Sequence, residues 1–186
     1  MTEGNPLGQM IEANSHQTLN IVKYKEIMLN FLRFLAVIMI AVLVSFTTHA
    51  APDVNGLITQ PSANSVDVTI EKFETAAKDR GLTIFARLDH AAAAESVGLE
   101  MPQATVIVFG NPRVGTPVMI ETPTVSIDLP PKAMVWEDAD GKVFLSYNSA
   151  EYLFNTIYPR HGIQSDKATI AKFENTYTAI ANEAVN

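Results

Sequence analysis

The sequence predicts an α+β fold, a single compact domain in which a mixed β-sheet is covered by helices and a C-terminal helix closes the chain. Three observations carry this reading. Thr105-Val106-Ile107-Val108-Phe109 is an unbroken apolar and β-branched run that ends in Gly110-Asn111-Pro112, the pattern of a strand buried on both faces. Val66, Ile70, Phe73 and Ala77, and again Ile170, Phe173, Tyr177 and Ile180, recur at spacings of three and four, each set one face of a helix. Lys132 to Glu137 and Lys142 to Tyr147 read as two strands around Asp138-Ala139-Asp140-Gly141, a hairpin turn by composition. Strands and helices alternate early and a hairpin comes late, which favours α+β.

Taken in order, the chain begins with an address. Phe34 to Phe46 is apolar apart from Ser45, with Arg33 before it and Thr48-His49-Ala50-Ala51 after it, the secretory pattern with cleavage after Ala50. Met28 makes a better start than Met1, so residues 1–27 read as an upstream extension and residues 28–50 as a signal peptide. The apolar run is shorter than the roughly 20 residues a spanning helix needs. The expected location is therefore periplasmic or secreted, with an uncleaved inner-membrane anchor as the alternative. Residues 51–56 form a linker, and the domain proper occupies residues 57–186.

Leu57-Ile58 marks a first edge strand. Ser65 caps the helix that carries Val66 to Ala77, Asp67 and Lys78 suit its two poles, and Gly81 stops it. Leu82, Ile84, Ala86 and Leu88 then alternate with Thr83, Phe85, Arg87 and Asp89, a half-buried strand. His90 to Val97 is a short Ala-rich helix ended by Gly98. After the central strand, Thr116-Pro117 and Thr122-Pro123 are two helix-start signals, for short helices near 117–121 and 123–128. Tyr152 to Tyr158 predicts a helix broken at Pro159, and the last helix starts near Ser165 or Asp166.

Charge and composition narrow the function classes. The net charge is -7 over 186 residues. Lys23, Lys25 and Arg33 cancel Glu3, Glu12 and Glu26 in the first fifty residues, so the whole excess of acid lies beyond them. Such a domain lacks the cationic footprint that phosphate backbones attract, which speaks against nucleic acid as a partner. Membrane association is expected only through an uncleaved N-terminal segment. The absence of cysteine removes disulfides, thiolate metal sites and covalent haem attachment.

Several ordered motifs resemble the DUF302 family. They are Gly81 to Ala91, Val106-Ile107-Val108-Phe109-Gly110-Asn111-Pro112 with Gly115-Thr116-Pro117, Asp128-Leu129-Pro130, Glu137 to Val143, Tyr147-Asn148 and Arg160-His161-Gly162. The resemblance covers nearly all of residues 56–182. It implies an α+β domain with a mixed sheet, often found alone behind a signal sequence and able to form a homodimer. It supplies no activity.

Function must then be sought in the residues. Gly110-Asn111-Pro112-Arg113-Val114-Gly115-Thr116 has the glycine spacing of a phosphate loop, but Thr116 stands where the lysine belongs and Pro112 removes an amide. A lesser form survives, in which amides at the Thr116-Pro117 helix start and Arg113 hold a small anion. The bland reading is a turn in which Asn111 bonds the backbone and Gly110 takes a positive φ. Asp89 and His90 are the acid–base candidates, since a carboxylate can orient an imidazole; the bland reading is Asp89 as a helix cap. Metal binding finds little support: His90 and His161 are the only histidines past the leader, and Asp138-Ala139-Asp140-Gly141 lacks the glutamate of a calcium loop. Met101, Met119 and Met134 read as core rather than haem ligands, and Trp136, Tyr147, Tyr152 and Tyr158 as core or pocket rim. No cofactor and no metal is called for, and covalent catalysis has no motif. The leading expectation is an exported, non-enzymatic domain that binds a small molecule, a small anion or a partner. If the strands at 82–89 and 105–109 pair in parallel, Asp89, His90, Asn111, Arg113 and Thr116 converge on one cleft. The alternatives are an enzyme using Asp89 or His90 as general acid or base, and a structural periplasmic module.

Overall fold

Five strands make one sheet in the order β1-β5-β4-β3-β2: β1 (Leu57–Pro61), β2 (Thr83–Asp89), β3 (Ala104–Gly110), β4 (Lys132–Glu137) and β5 (Val143–Asn148). The structure, a computed structural model, describes residues 55–186; the leader and its expected cleavage site lie outside the described residues. Among the described residues no helix is long and apolar enough to cross a membrane.

Every pairing in the sheet is antiparallel. The α+β class holds, but the expected mixed sheet is corrected to an antiparallel one. The reason lies in the connection between β2 and β3. Helix α2 (His90–Glu95) has six residues and buries none of them. The link as a whole, residues 90–103, is long enough for a parallel crossover, but α2 buries no residue and so offers no apolar face to lie across the sheet, as a crossover helix would. Instead α2 stands at the end of the sheet and the chain turns back.

One face of the sheet holds the core. Ile58, Ile107, Phe109, Ala133, Val135 and Leu145 are each at most 2% exposed. They alternate along their strands and meet in register, Ile107 opposite Ala133 and Val135 opposite Leu145. Helix α1 (Val66–Asp79) packs on this face beside the C-terminal helix α5 (Lys167–Val185). Ser65 Oγ accepts from Val68 N at the start of α1, Asp166 Oδ1 accepts from Thr169 N at the start of α5, and Gly81 takes φ 73° beyond the end of α1. The buried faces are the periodic ones: Val66, Ile70, Phe73 and Ala77 on α1, and Ile170, Tyr177 and Ile180 on α5. The opposite face of the sheet is partly open, with Leu88 50% exposed and Trp136 stacked on Phe144 at 4.9 Å.

The simple alternation expected of β2 is interrupted. The register shifts between Ile84, opposite Phe109, and Ala86, opposite Val108. This bulge at Phe85 puts Ile84 and Arg87 on the helix-covered face and Ala86 and Leu88 on the open one. Arg87 is thereby placed to reach Glu74 on α1, and their side chains form an ion pair.

Candidate functional site

The turn that follows the central strand is made by its own side chains. β3 ends at Gly110, and Asn111 Oδ1 accepts from Arg113 N at 2.9 Å, capping α3 (Pro112–Glu121) with proline at its first position. The helix thus begins four residues before Thr116. Asn-Pro delivers the same start signal as Thr-Pro and comes earlier in the chain, so Thr116 and Pro117 fall inside the helix. The second Thr-Pro pair opens a 3-10 turn, Pro123–Ile127. The amides of Val114 and Gly115 donate to Asn111 O at 3.0 and 2.9 Å. The N–H groups that an anion at this helix start would use are therefore already bonded, and Arg113 and Thr116 are exposed on α3 and do not line the cleft that Asn111 borders. Gly110 is not in the left-handed region either. A Cβ there would stand 3.4 Å from Pro130 Cβ and 3.6 Å from Phe85, ordinary packing distances, so neither backbone conformation nor space demands glycine at this turn.

Asp89 and His90 do not join this turn. Thr83 pairs with Gly110 and Asp89 with Thr105, so Asp89 sits five residues along β3 from Gly110, about 17 Å at the usual strand rise. The expected convergence of Asp89 and His90 with Asn111, Arg113 and Thr116 is thus overturned by the antiparallel pairing. Asp89 Oδ1 accepts from Ala92 N at 2.9 Å and caps α2, which is its bland reading. His90 is exposed. An open, polar depression beside α2 carries Asp67, Asp89, Glu95 and Glu100. Among the described residues, no group of three or more His, Asp or Glu side chains is arranged to hold a metal ion.

Asn111 instead lies on a cleft of about 390 Å³. Phe85 reaches it from the β2 bulge, Phe109 and Gly110 from β3, Val114 and Met119 from α3. Leu129, Pro130 and Pro131 line it from the segment that follows the 3-10 turn, and Lys172, Phe173 and Tyr177 from α5. Leu153 and Tyr158 complete it. They are linked because α4 (Ala150–Tyr152) runs into a π-helical turn over Leu153–Ile157, across which Tyr158 N donates to Leu153 O. Such a turn brings residues i and i+5 to one side and recurs at functional sites. The aromatic rings continue behind the lining: Tyr158 to Phe154 at 4.8 Å, Phe154 to Phe173 at 4.9 Å, Phe109 to Tyr177 at 5.6 Å. Tyr158 and Tyr177 are 8% and 6% exposed; the tyrosine hydroxyl that is fully buried without a partner is that of Tyr147, outside the cleft lining. Burial pushes the phenols of Tyr158 and Tyr177 above their ordinary pKa, so both stay protonated at neutral pH. Of the other sequence candidates, Tyr147 is core and Trp136 is on the open sheet face.

A second cluster went unread in the sequence. His161 Nε2 lies 2.6 Å from Asp128 Oδ2 and its Nδ1 lies 3.0 Å from Thr124 Oγ1, while Arg160 pairs with Asp128 at 3.1 Å. The 2.6 Å contact suits Nε2–H donating to the carboxylate with the Thr124 hydroxyl donating to Nδ1, an arrangement that leaves the Arg160 Nε at 3.3 Å from Nε2 without an acceptor there. The trio resembles a nucleophile, base and carboxylate in order. Thr124, however, stands on an exposed 3-10 turn and does not line the cleft. We read it as a clasp that ties the segment before Leu129-Pro130 to the segment bearing Tyr158. Asp128→Asn is expected to cost about 1 kcal/mol in urea unfolding, because it weakens two charge-assisted bonds at a half-buried site.

Comparison with known proteins bears on residues 58–182, which match the family described as "Domain of unknown function DUF302". A protein of Brucella suis named "Fluoride-specific ion channel FluC 1" is 41% identical over 126 residues, which are 67% of this chain and 48% of the relative. The Brucella abortus protein of the same name is also 41% identical over 126 residues, 45% of its own length. The chain thus spans about half the length of the curated relatives it matches. The crystal structure of an uncharacterized conserved DUF302 protein from Bacillus stearothermophilus superposes with a TM-score of 0.58 at 19% identity, covering 69% of this chain and 98% of that one. The likeness is one of fold.

Proposed function

The chain belongs to the DUF302 family, domains of unknown function, and from that premise we propose that it is an exported domain that binds a small apolar molecule in the cleft beside Gly110-Asn111-Pro112. The observation that carries this reading is the chemistry of the cleft lining. It is predominantly apolar and aromatic, yet it includes Asn111, Lys172 and two tyrosines, Tyr158 and Tyr177, whose rings are more than nine-tenths buried. An apolar cleft with a few polar groups is the usual form of a small-molecule site, and about 390 Å³ falls in the range of such sites.

Nile red, a neutral dye whose emission rises in apolar surroundings, tests the reading. The domain is expected to bind it with one strong site. Val114→Trp should weaken that site at least tenfold without changing the melting temperature. Val114 lines the cleft but is 48% exposed on α3, so a larger side chain there fills the cleft and spares the core. No dye binding, or equal binding by Val114→Trp, would refute the site. Native mass in the same preparation reads out the homodimer that the family resemblance implies.

A second reading, partnership with a membrane channel, is supported by the Brucella relatives. Each is named a fluoride-specific ion channel, and less than half of each is matched by this chain. On this reading the domain is an accessory to an ion pathway. Deletion in the source organism should then raise fluoride sensitivity; unchanged growth across a fluoride series would count against it.

A further inference from the structure

We infer that the molecule taken by the cleft is an amphiphile with a single anionic head, a carboxylate or a phosphate ester, seated at Lys172. The inference rests on the cleft being a ligand site and adds the class of ligand. It starts from charge. The chain carries -7 overall, yet the residues lining the cleft include Arg80 and Lys172 and no Asp or Glu. The acidic side chains gather elsewhere, four of them in the depression at the far end of β2. A cleft of one sign on a protein of the other selects its ligand by charge and steers it on approach.

The two cations are not equivalent. Arg80 is committed: its guanidinium pairs with Glu183 and donates to Ala76 O. Glu183 in turn raises the Arg80 pKa through that hydrogen bond. Lys172 Nζ has no hydrogen bond or ion pair to any described residue. Its helical neighbours one turn away, Thr169 and Thr176, have hydroxyls already bonded to Asp166 and to Lys172 O. The remaining polar groups of the cleft point to the same chemistry. Asn111 spends its Oδ1 on the cap of α3, which leaves its Nδ2 hydrogens, and Tyr158 and Tyr177 bring hydroxyls to the lining. Lys172, Asn111, Tyr158 and Tyr177 all offer donors, so the ligand must bring acceptors as well as apolar surface.

Displacement of Nile red by three probes of equal chain length, all below their micellar concentrations, tests this: decanoate, decyl phosphate and methyl decanoate. The expected result is that at least one anion displaces the dye at a concentration tenfold or more below that of the ester, and that the preference shrinks as salt rises. Whichever anion is favoured identifies the head. Lys172→Gln should bring the ratio of acid to ester close to one, whereas Lys167→Gln, an exposed lysine of the same helix outside the cleft, should leave the ratio as in the wild type. If Nile red binds but acid and ester compete equally, or if Lys172→Gln keeps the full preference, the anionic head is wrong and the apolar site stands. If Nile red does not bind at all, the site itself is wrong and the ligand class falls with it.

Discussion

Phe109→Ala is expected to destabilise the domain by about 3–5 kcal/mol in urea unfolding, the largest effect of any single change considered. Phe109 is 2% exposed and packs edge-on against Phe73 at 5.1 Å and Tyr177 at 5.6 Å. It therefore joins β3, α1 and α5 at one point. Truncation removes the transfer energy of a benzyl group, two aromatic contacts and the support of a helix on each side. The same residue lines the cleft, so the variant should also lose dye binding. Phe85→Ala is the contrast that separates packing from lining. Phe85 lines the same cleft but is 47% exposed on the bulge, and its loss should cost no more than about 1 kcal/mol. A Phe109→Ala protein that unfolds like the wild type would mean that the core is centred elsewhere.

The prominence of Phe109 was legible in the sequence as part of a continuous apolar run, but the expected burial on both faces is corrected: Val106 and Val108 are only half-buried, on the open face opposite Leu88 and Ala86. The caps of α1, α2 and α5 and the hairpin at Gly141 were equally legible, since each depends on residues within a few positions of one another. What failed depended on partners distant in the chain. The direction of β2 against β3 is one case: the 14-residue link between them, residues 90–103, is long enough for either pairing, and packing decides it. Thr116-Pro117 is another. It carries a start signal, but Asn111-Pro112 starts the helix first, and a helix already running leaves the second signal nothing to do.

The site was half legible for the same reason. Gly110-Asn111-Pro112 was singled out as the place where a buried strand reaches the surface, and it does border the cleft. Arg113 and Thr116 were chosen by proximity in sequence, and helical rotation carries both away from it. Asp89 and His90 were placed there by a pairing that the sheet does not have. Tyr158, Lys172 and Tyr177 come from segments forty or more residues downstream, and no spacing rule connects them to Asn111. Asp128 and His161 lie 33 residues apart; each stood in a quoted motif, but only the fold brings them within hydrogen-bonding distance.

Arg87→Ala is expected to cost more than Glu74→Ala, about 2 against about 1 kcal/mol, although both remove the same ion pair. The two ends of the pair differ in burial: the Arg87 side chain is 49% exposed and that of Glu74 is 9% exposed. Deleting Glu74 frees a guanidinium that water can solvate. Deleting Arg87 strands a carboxylate on the core face of the sheet, held only by Lys78 at 3.2 Å. Acid titration gives a second, sharper reading. The hydrogen bond from Arg87, chiefly, holds the Glu74 carboxyl below its usual 4.5, with Lys78 adding to it and burial opposing. A lowered folded-state pKa means that the pair's contribution is fully present above pH 4.5 and is lost as pH falls through the folded value. Without Arg87 the opposing influence of burial remains. The Glu74 pKa then rises, and that loss of stability on acidification should shrink or change sign. Urea midpoints of wild type and Arg87→Ala measured from pH 7 down to pH 3 should therefore converge toward the acid end. Curves that stay parallel would show that Glu74 and Arg87 are linked to folding by packing and not by charge.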